Sequence, residues 1–211
     1  MVTYDKGDLK MCRQLIQELR HSDKSIEAMS RCAERILEYF KIPEERQTPI
    51  VYIMQEMGIV ALRGPLEPRG LSAYIAVNPK YREKYGSNKI ACVNEEDNLG
   101  HQRFALAHEL AHYLFDYDEV NSATYYNTYF ISREYDENSE VVNFKDGEID
   151  IEYRANQFAA ALLMPAKTFR RKYKEYHRNQ KELSDVVDEL SQFFEVSRTA
   201  VTLRIAEVIK D

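Results

Sequence analysis

His108-Glu109-Leu110-Ala111-His112 lies inside a run, Arg103 to Leu114, whose apolar residues recur at helical spacing. On an α-helix, positions i and i+4 project from one face, so both imidazoles can reach a common ion. Glu109, one residue past the first histidine, can bring its carboxylate to a water on that ion. A histidine pair with an adjacent acid is the ligand-and-base arrangement of zinc peptidases. Phe104, Ala107, Ala111 and Leu114 make one apolar stripe beside the histidines. The spacing predicts a helix from about His101 to Phe115, with the imidazoles at the edge of a packed face.

A catalytic zinc site takes three protein ligands and keeps one position open. His101 precedes His108 by two turns, about 10 Å along a helix axis, and ligation by all three from one helix is strained. His21 and His177 have no supporting context. A carboxylate from a second helix is the better third ligand, and Glu152 supplies it. Glu152 lies on a helix predicted from Ile149 to Met164, stopped by Pro165, with Ala155, Phe158, Ala159, Leu162 and Leu163 facing inward. Its small residues, Ala155, Ala159 and Ala160, permit close approach to the histidine helix. Asn156, one turn on, can accept a hydrogen bond from the outer nitrogen of a ligating histidine and fix its tautomer. Taken alone, Glu152 also reads as an acid favoured near a helix N-terminus by the dipole.

Upstream, residues 6–20 and 24–40 read as two helices, the second striped by Ile26, Met29, Ala33, Ile36, Leu37 and Phe40 and closed by Pro43. Short apolar runs follow at Ile50–Met54, Ile59–Leu62, Ala73–Val77 and Ile90–Val93, separated by glycines and prolines. They predict a small, mostly antiparallel or mixed sheet, without the helical crossovers of a doubly wound fold. Residues 116–148 are tyrosine- and acid-rich with weak periodicity, so they read as a functional or poorly ordered loop holding a short hairpin from Tyr125 to Ser132. Further helices are expected after Pro165, over Ser184–Phe194 and over Arg198–Ile209, with Ser197 an N-cap.

That last pair has a helix-turn-helix rhythm, but Arg198, Arg204 and Lys210 are surrounded by Asp185, Asp188, Glu189, Glu195, Glu207 and Asp211. Packing is the preferred reading, ahead of repressor docking and DNA reading, so direct nucleic-acid binding is not expected. The basic helix from 167 to 178 reads as a solvated face, its rival role being contact with an acidic partner.

Bulk composition agrees with a soluble globular chain. Of 211 residues, 44% are hydrophobic and 30% charged, and the net charge of -6 disfavours a nonspecific grip on DNA or acidic membranes. Cys12, Cys32 and Cys92 are odd in number and contain no CxxC pair, which suits buried free thiols in a reducing compartment. No signal core or membrane-length apolar stretch is evident, so a cytoplasmic location is expected.

The stretch Arg103-Phe104-Ala105-Leu106-Ala107-His108-Glu109-Leu110-Ala111-His112-Tyr113-Leu114, followed by Glu152-Tyr153-Arg154-Ala155-Asn156-Gln157-Phe158-Ala159-Ala160-Ala161-Leu162-Leu163-Met164-Pro165, resembles the ImmA/IrrE family of metallopeptidases. The likeness covers roughly residues 50–210. It implies a zincin-like enzyme of the kind often encoded on phages and integrative elements or acting in stress responses. It also implies a protein substrate, a transcriptional repressor of the helix-turn-helix type. His108 and His112 would be zinc ligands, Glu109 the base and Glu152 the third ligand. Two departures are visible. The 39 residues between His112 and Glu152 make a longer gap than usual, and Ala111 stands where many members carry glycine.

The expected architecture is α+β: N-terminal helices over 1–45, a zincin-like peptidase core over 46–166 and a C-terminal helical subdomain over 167–211. The expected activity is zinc-dependent endopeptidase. Its oxyanion donor is open among Tyr153, His101 and a tyrosine of 125–135 such as Tyr129. An edge strand near Ala73–Val77 or Ile90–Val93 could take substrate as an added strand. Competing readings are a regulatory binding module with a zinc-supported fold and a DNA-binding regulator.

Overall fold

The computed structural model describes residues 6–23, 25–67, 70–117, 125–127, 148–178 and 182–209. Two amphipathic helices come first, α1 (Lys6–Arg20) and α2 (Ile26–Tyr39). Ala28, Met29, Cys32, Ala33 and Ile36 form the buried stripe of α2. Lys41 in left-handed backbone, followed by Pro43, ends it.

The strand expected at Ile50–Met54 is instead a helix, α3 (Ile50–Glu56). Ile50, Ile53 and Met54 are buried at i, i+3 and i+4, and Met57 continues the face. Val51 and Tyr52, the strand-favouring residues that mislead there, are exposed. Pro49 precedes the first turn, where no amide donor is needed.

β1 (Val60–Gly64), β2 (Ala73–Val77) and β3 (Lys89–Asn94) follow, with a short unexpected helix, α4 (Tyr81–Tyr85), between the last two. α4 closes on Gly86, whose φ of 75° gives the left-handed C-cap that glycine adopts without steric cost. After α5 (Leu99–Phe115) comes β4 (Tyr125–Asn127), and the sheet order is β1-β3-β2-β4. β1 pairs parallel with β3; β2 pairs antiparallel with β3 and with β4. The sheet is therefore mixed. Neither β2 nor β3 is an edge, contrary to the substrate-strand expectation, because β4 takes the outer side of β2 at Ile75, Ala76 and Val77. Beyond Asn127, the hairpin expected to reach Ser132 lies outside the described residues.

The remaining helices are α6 (Glu148–Leu163), α7 (Ala166–His177), α8 (Leu183–Phe194) and α9 (Arg198–Val208). α5 is central: it packs on β2 and β3, on α6, and on α1 and α3. Every residue from Ala105 to Phe115 is buried. A single apolar stripe with histidines at its edge is thus too modest a picture; a helix apolar nearly all round belongs inside the core. Ala73, Ile75, Val77, Ala91 and Val93 of the sheet share one cluster with Ala107, Leu110, Ala111 and Leu114 of α5.

Side-chain ties fix this helix to its neighbours. Phe115 meets Phe158 of α6 edge-on with centroids 5.3 Å apart, and the Arg20 guanidinium lies 4.8 Å over the Tyr113 ring. Arg103 donates to the carbonyls of Thr48 and Glu195, holding the entry to α3 and the α8–α9 turn against one helix. Thr48 in turn donates to the Leu162 carbonyl at 2.7 Å.

Candidate metal centre

α5 presents His108 and His112 one turn apart, and α6 brings Glu152 up to them. Their ligand atoms lie within 4.8 Å of one another. The two Nε2 atoms are 2.9 Å apart. Glu152 reaches both, with Oε2 at 3.1 Å from His108 Nε2 and Oε1 at 3.4 Å from His112 Nε2. The small residues Ala155 and Ala159, both buried on α6, let the two helices approach closely enough for this.

The outer nitrogens decide what the inner ones can be. His108 Nδ1 faces Asn156 Oδ1 at 3.0 Å, and His112 Nδ1 faces an Asp116 carboxylate oxygen at 2.8 Å. Amide and carboxylate oxygens only accept, so both Nδ1 atoms carry the proton. In the neutral rings, both Nε2 atoms then bear lone pairs aimed at each other and at a carboxylate. Three acceptors converging on one point need a cation or a proton between them. The donor set of two imidazole nitrogens and one carboxylate suits a divalent transition metal such as zinc.

Charge regulation in the metal-free protein follows the same geometry. Burial alone would lower the His112 imidazole, but its contacts with Asp116 and Glu152 outweigh that and raise it to about 9. Burial holds His108 below its ordinary value. Glu152, which burial would raise, is drawn down to about 2 by the two histidines.

Glu109 is fully buried, and among the described residues neither carboxylate oxygen has a hydrogen-bond partner of good geometry. Burial pushes its carboxyl up to about 8, against the pull of His112 and of the nearby Ile75 amide. Its charge is felt by those of His112 and Glu152. An orphaned acid at the foot of three converging ligands is what a polar species completing the site would satisfy.

The other anticipated groups have contacts of their own. His101 Nε2 is 3.2 Å from Ser72 Oγ, its backbone bound by the Asn98 cap. Tyr153 is half exposed, its hydroxyl 3.3 Å from the Gln157 amide, which also reaches Glu207. Tyr129 lies outside the described residues. Asp116 and Arg154 were not anticipated. Asp116 stands at i+4 from His112, a spacing that signals contact on a helix. Arg154 of α6 pairs with the other Asp116 oxygen, and nothing in its sequence context marks it.

In the C-terminal pair, Arg204 is buried and donates to the Met164 carbonyl at 3.1 Å and to Glu207 at 2.8 Å. Arg198 pairs with Asp188. Arg204 thus ties α9 to the end of α6, whereas the Arg198 pair links α9 to α8 at an exposed position.

Comparison with known proteins places this geometry. A solved structure, a Mycobacterium tuberculosis transcriptional regulator, superposes with a TM-score of 0.55 at 17% identity, covering 94% of this chain and 51% of that one. The likeness is one of fold, and this chain spans about half the length of that protein. No curated protein matches the sequence. The model of a peptidase family, the IrrE N-terminal-like domain, matches residues 54–206 and so takes in α5, α6 and the whole His-His-Glu cluster. The chain is therefore a member of the IrrE N-terminal-like peptidase family.

Proposed function

We propose that this protein is a zinc-dependent endopeptidase acting on a regulatory protein, with a helix-turn-helix transcriptional repressor as the substrate class. His108, His112 and Glu152 hold the metal, Glu109 is the general base and acid, and Asn156 orients His108. The observation that carries this reading is the convergence of two Nε2 lone pairs and a carboxylate, with both Nδ1 protons committed outward.

Zinc held by His108, His112 and Glu152 would supply Lewis acidity, the chemistry that lowers the pKa of a water and polarises a scissile carbonyl. Glu109 takes the proton of the attacking water on a carboxylate oxygen and delivers it to the departing amine. Its dry surroundings suit both steps, since no bulk water competes for the proton there. Asn156 accepts the His108 Nδ1 proton, which keeps the inner nitrogen free to ligate.

Family membership and the regulator with a similar fold support a regulatory setting for the substrate. The three free, buried cysteines support a reducing cytoplasmic compartment. Among the described residues no helix is long and apolar enough to cross a membrane. A second reading, a binding regulator with little intrinsic cleavage, is favoured by one feature. His108 and Glu109 expose no surface, and β4 already covers β2 beside them.

The two readings part on one substitution. Zinc-loaded protein is incubated with repressors from the same genome and fragments are mapped by mass. Cleavage that disappears in Glu109→Gln while metal is retained supports the peptidase. Full biological activity of that variant would move the assignment to the binding role.

A further inference from the structure

Resting on the metal-peptidase reading, we infer that Asp116 and Arg154 form a positioning pair that sets both the orientation of His112 and the register of Glu152. Asp116 is the C-cap of α5, its amide bound to the His112 carbonyl at 2.9 Å. One carboxylate oxygen accepts the His112 Nδ1 proton at 2.8 Å, and the other is held by Arg154. Arg154 comes from α6, two residues past Glu152. A single carboxylate therefore joins one ligand on α5 to the helix that delivers the third ligand.

The two halves of this bridge do different work. The bond to Nδ1 fixes which His112 nitrogen is left to ligate and at what ring angle. The bond to Arg154 stops the carboxylate from rotating off the ring, because both its oxygens are then committed. It also pins α6 one short step from Glu152, at side chains only 15% and 17% exposed, where an ion pair is screened less than at the surface. On the His108 side the Nδ1 partner is Asn156, a neutral acceptor on the same helix as Glu152. His112 is thus held by an anion that Arg154 helps keep in place, and Arg154 acts on the metal through that carboxylate.

The test uses the full chain and the metals alone. Zinc affinity is measured by competition with a chromophoric chelator, and the Co(II) absorption spectrum reports ligand geometry. Asp116→Ala is expected to weaken zinc binding by about 10–100-fold, the usual loss on removing such an outer partner. Asp116→Asn, which keeps an acceptor for Nδ1, should recover part of this. Arg154→Gln should weaken binding by less than Asp116→Ala and shift the Co(II) bands. The double variant should bind no more weakly than Asp116→Ala alone. Losses that multiply in the double variant would overturn the inference. So would an Arg154→Gln protein that melts earlier yet keeps wild-type affinity and spectrum, since its role would then be structural only. The milder Asp116→Asn and Arg154→Gln pair stands in for the alanine variant should that one fail to fold. A wild-type chain that binds no zinc would sink the metal reading itself, a result separate from either of these.

Discussion

The Nε2 atoms of His108 and His112 lie 2.9 Å apart while both Nδ1 atoms are already bonded to acceptors. Two neutral imidazoles so arranged repel one another unless something positive sits between them. The metal-free protein answers this by holding a proton at His112, and a divalent cation would replace it.

Zinc should therefore stabilise the fold. At a free concentration about 100 times its dissociation constant, a ligand specific for the native state contributes about 2.7 kcal/mol. In a chain of this size that corresponds to a rise in melting temperature of about 5–10 °C. Calorimetry with and without a chelator measures it, and a Glu152→Ala protein should show a much smaller rise.

Stability and metal affinity should respond to pH in opposite senses. In the metal-free protein Glu109 sits at about 8, above its ordinary 4.5, so its burial costs more as pH rises through that interval. His112 at about 9 lies above its ordinary 6.5, so its ion pairs contribute fully below 6.5 and are lost as pH rises through 9. Glu152 at about 2 contributes fully above 4.5 and loses its share as pH falls through 2. The chelated protein is then most stable near about pH 5–6 and weakens toward pH 9. The zinc-induced gain should grow over the same range, because metal competes with the His112 proton. Melting curves at three pH values, with zinc and with chelator, display both trends.

Gly100 lies where α5 passes close under the α8–α9 turn. A Cβ there would stand 3.0 Å from the Val196 carbonyl carbon and 3.2 Å from the Ser197 nitrogen, both backbone atoms. Gly100→Ala should cost about 1–3 kcal/mol, the usual penalty for overpacking. Denaturant unfolding checks the loss, and unchanged zinc stoichiometry would show that the site lies outside its reach.

Arg204→Ala should destabilise the protein by about 1.5–3 kcal/mol, since it deletes charge-assisted bonds to Met164 and Glu207. An Arg204→Ala protein as stable as wild type would contradict the packing role described for α9.

The cluster was legible in the sequence to the extent that it is local. His108, Glu109 and His112 follow from spacing on one helix, and Glu152 with Asn156 from an i+4 pair on a helix with a small-residue face. Asp116 had the right spacing from His112 but looked like the start of an acidic loop. Arg154 carried no signal at all, because its partner lies 38 residues away. The sheet residues of β2 and β3 were recognisable from apolar runs, whereas their interior position depended on β4, which a three-residue strand cannot announce. Ile50–Met54 misled because β-branched and aromatic residues weigh toward a strand over so short a run. α3 was settled instead by which of those residues the core could bury.

The most direct test of the central claim is X-ray absorption at the zinc K-edge of the zinc-loaded chain. The account predicts one zinc per chain, with two imidazole nitrogens at about 2.0–2.1 Å and carboxylate oxygen at about 2.0–2.2 Å, one imidazole shell being lost in His112→Ala. A spectrum with no imidazole scattering, or one unchanged in both His112→Ala and Glu152→Ala, would contradict it.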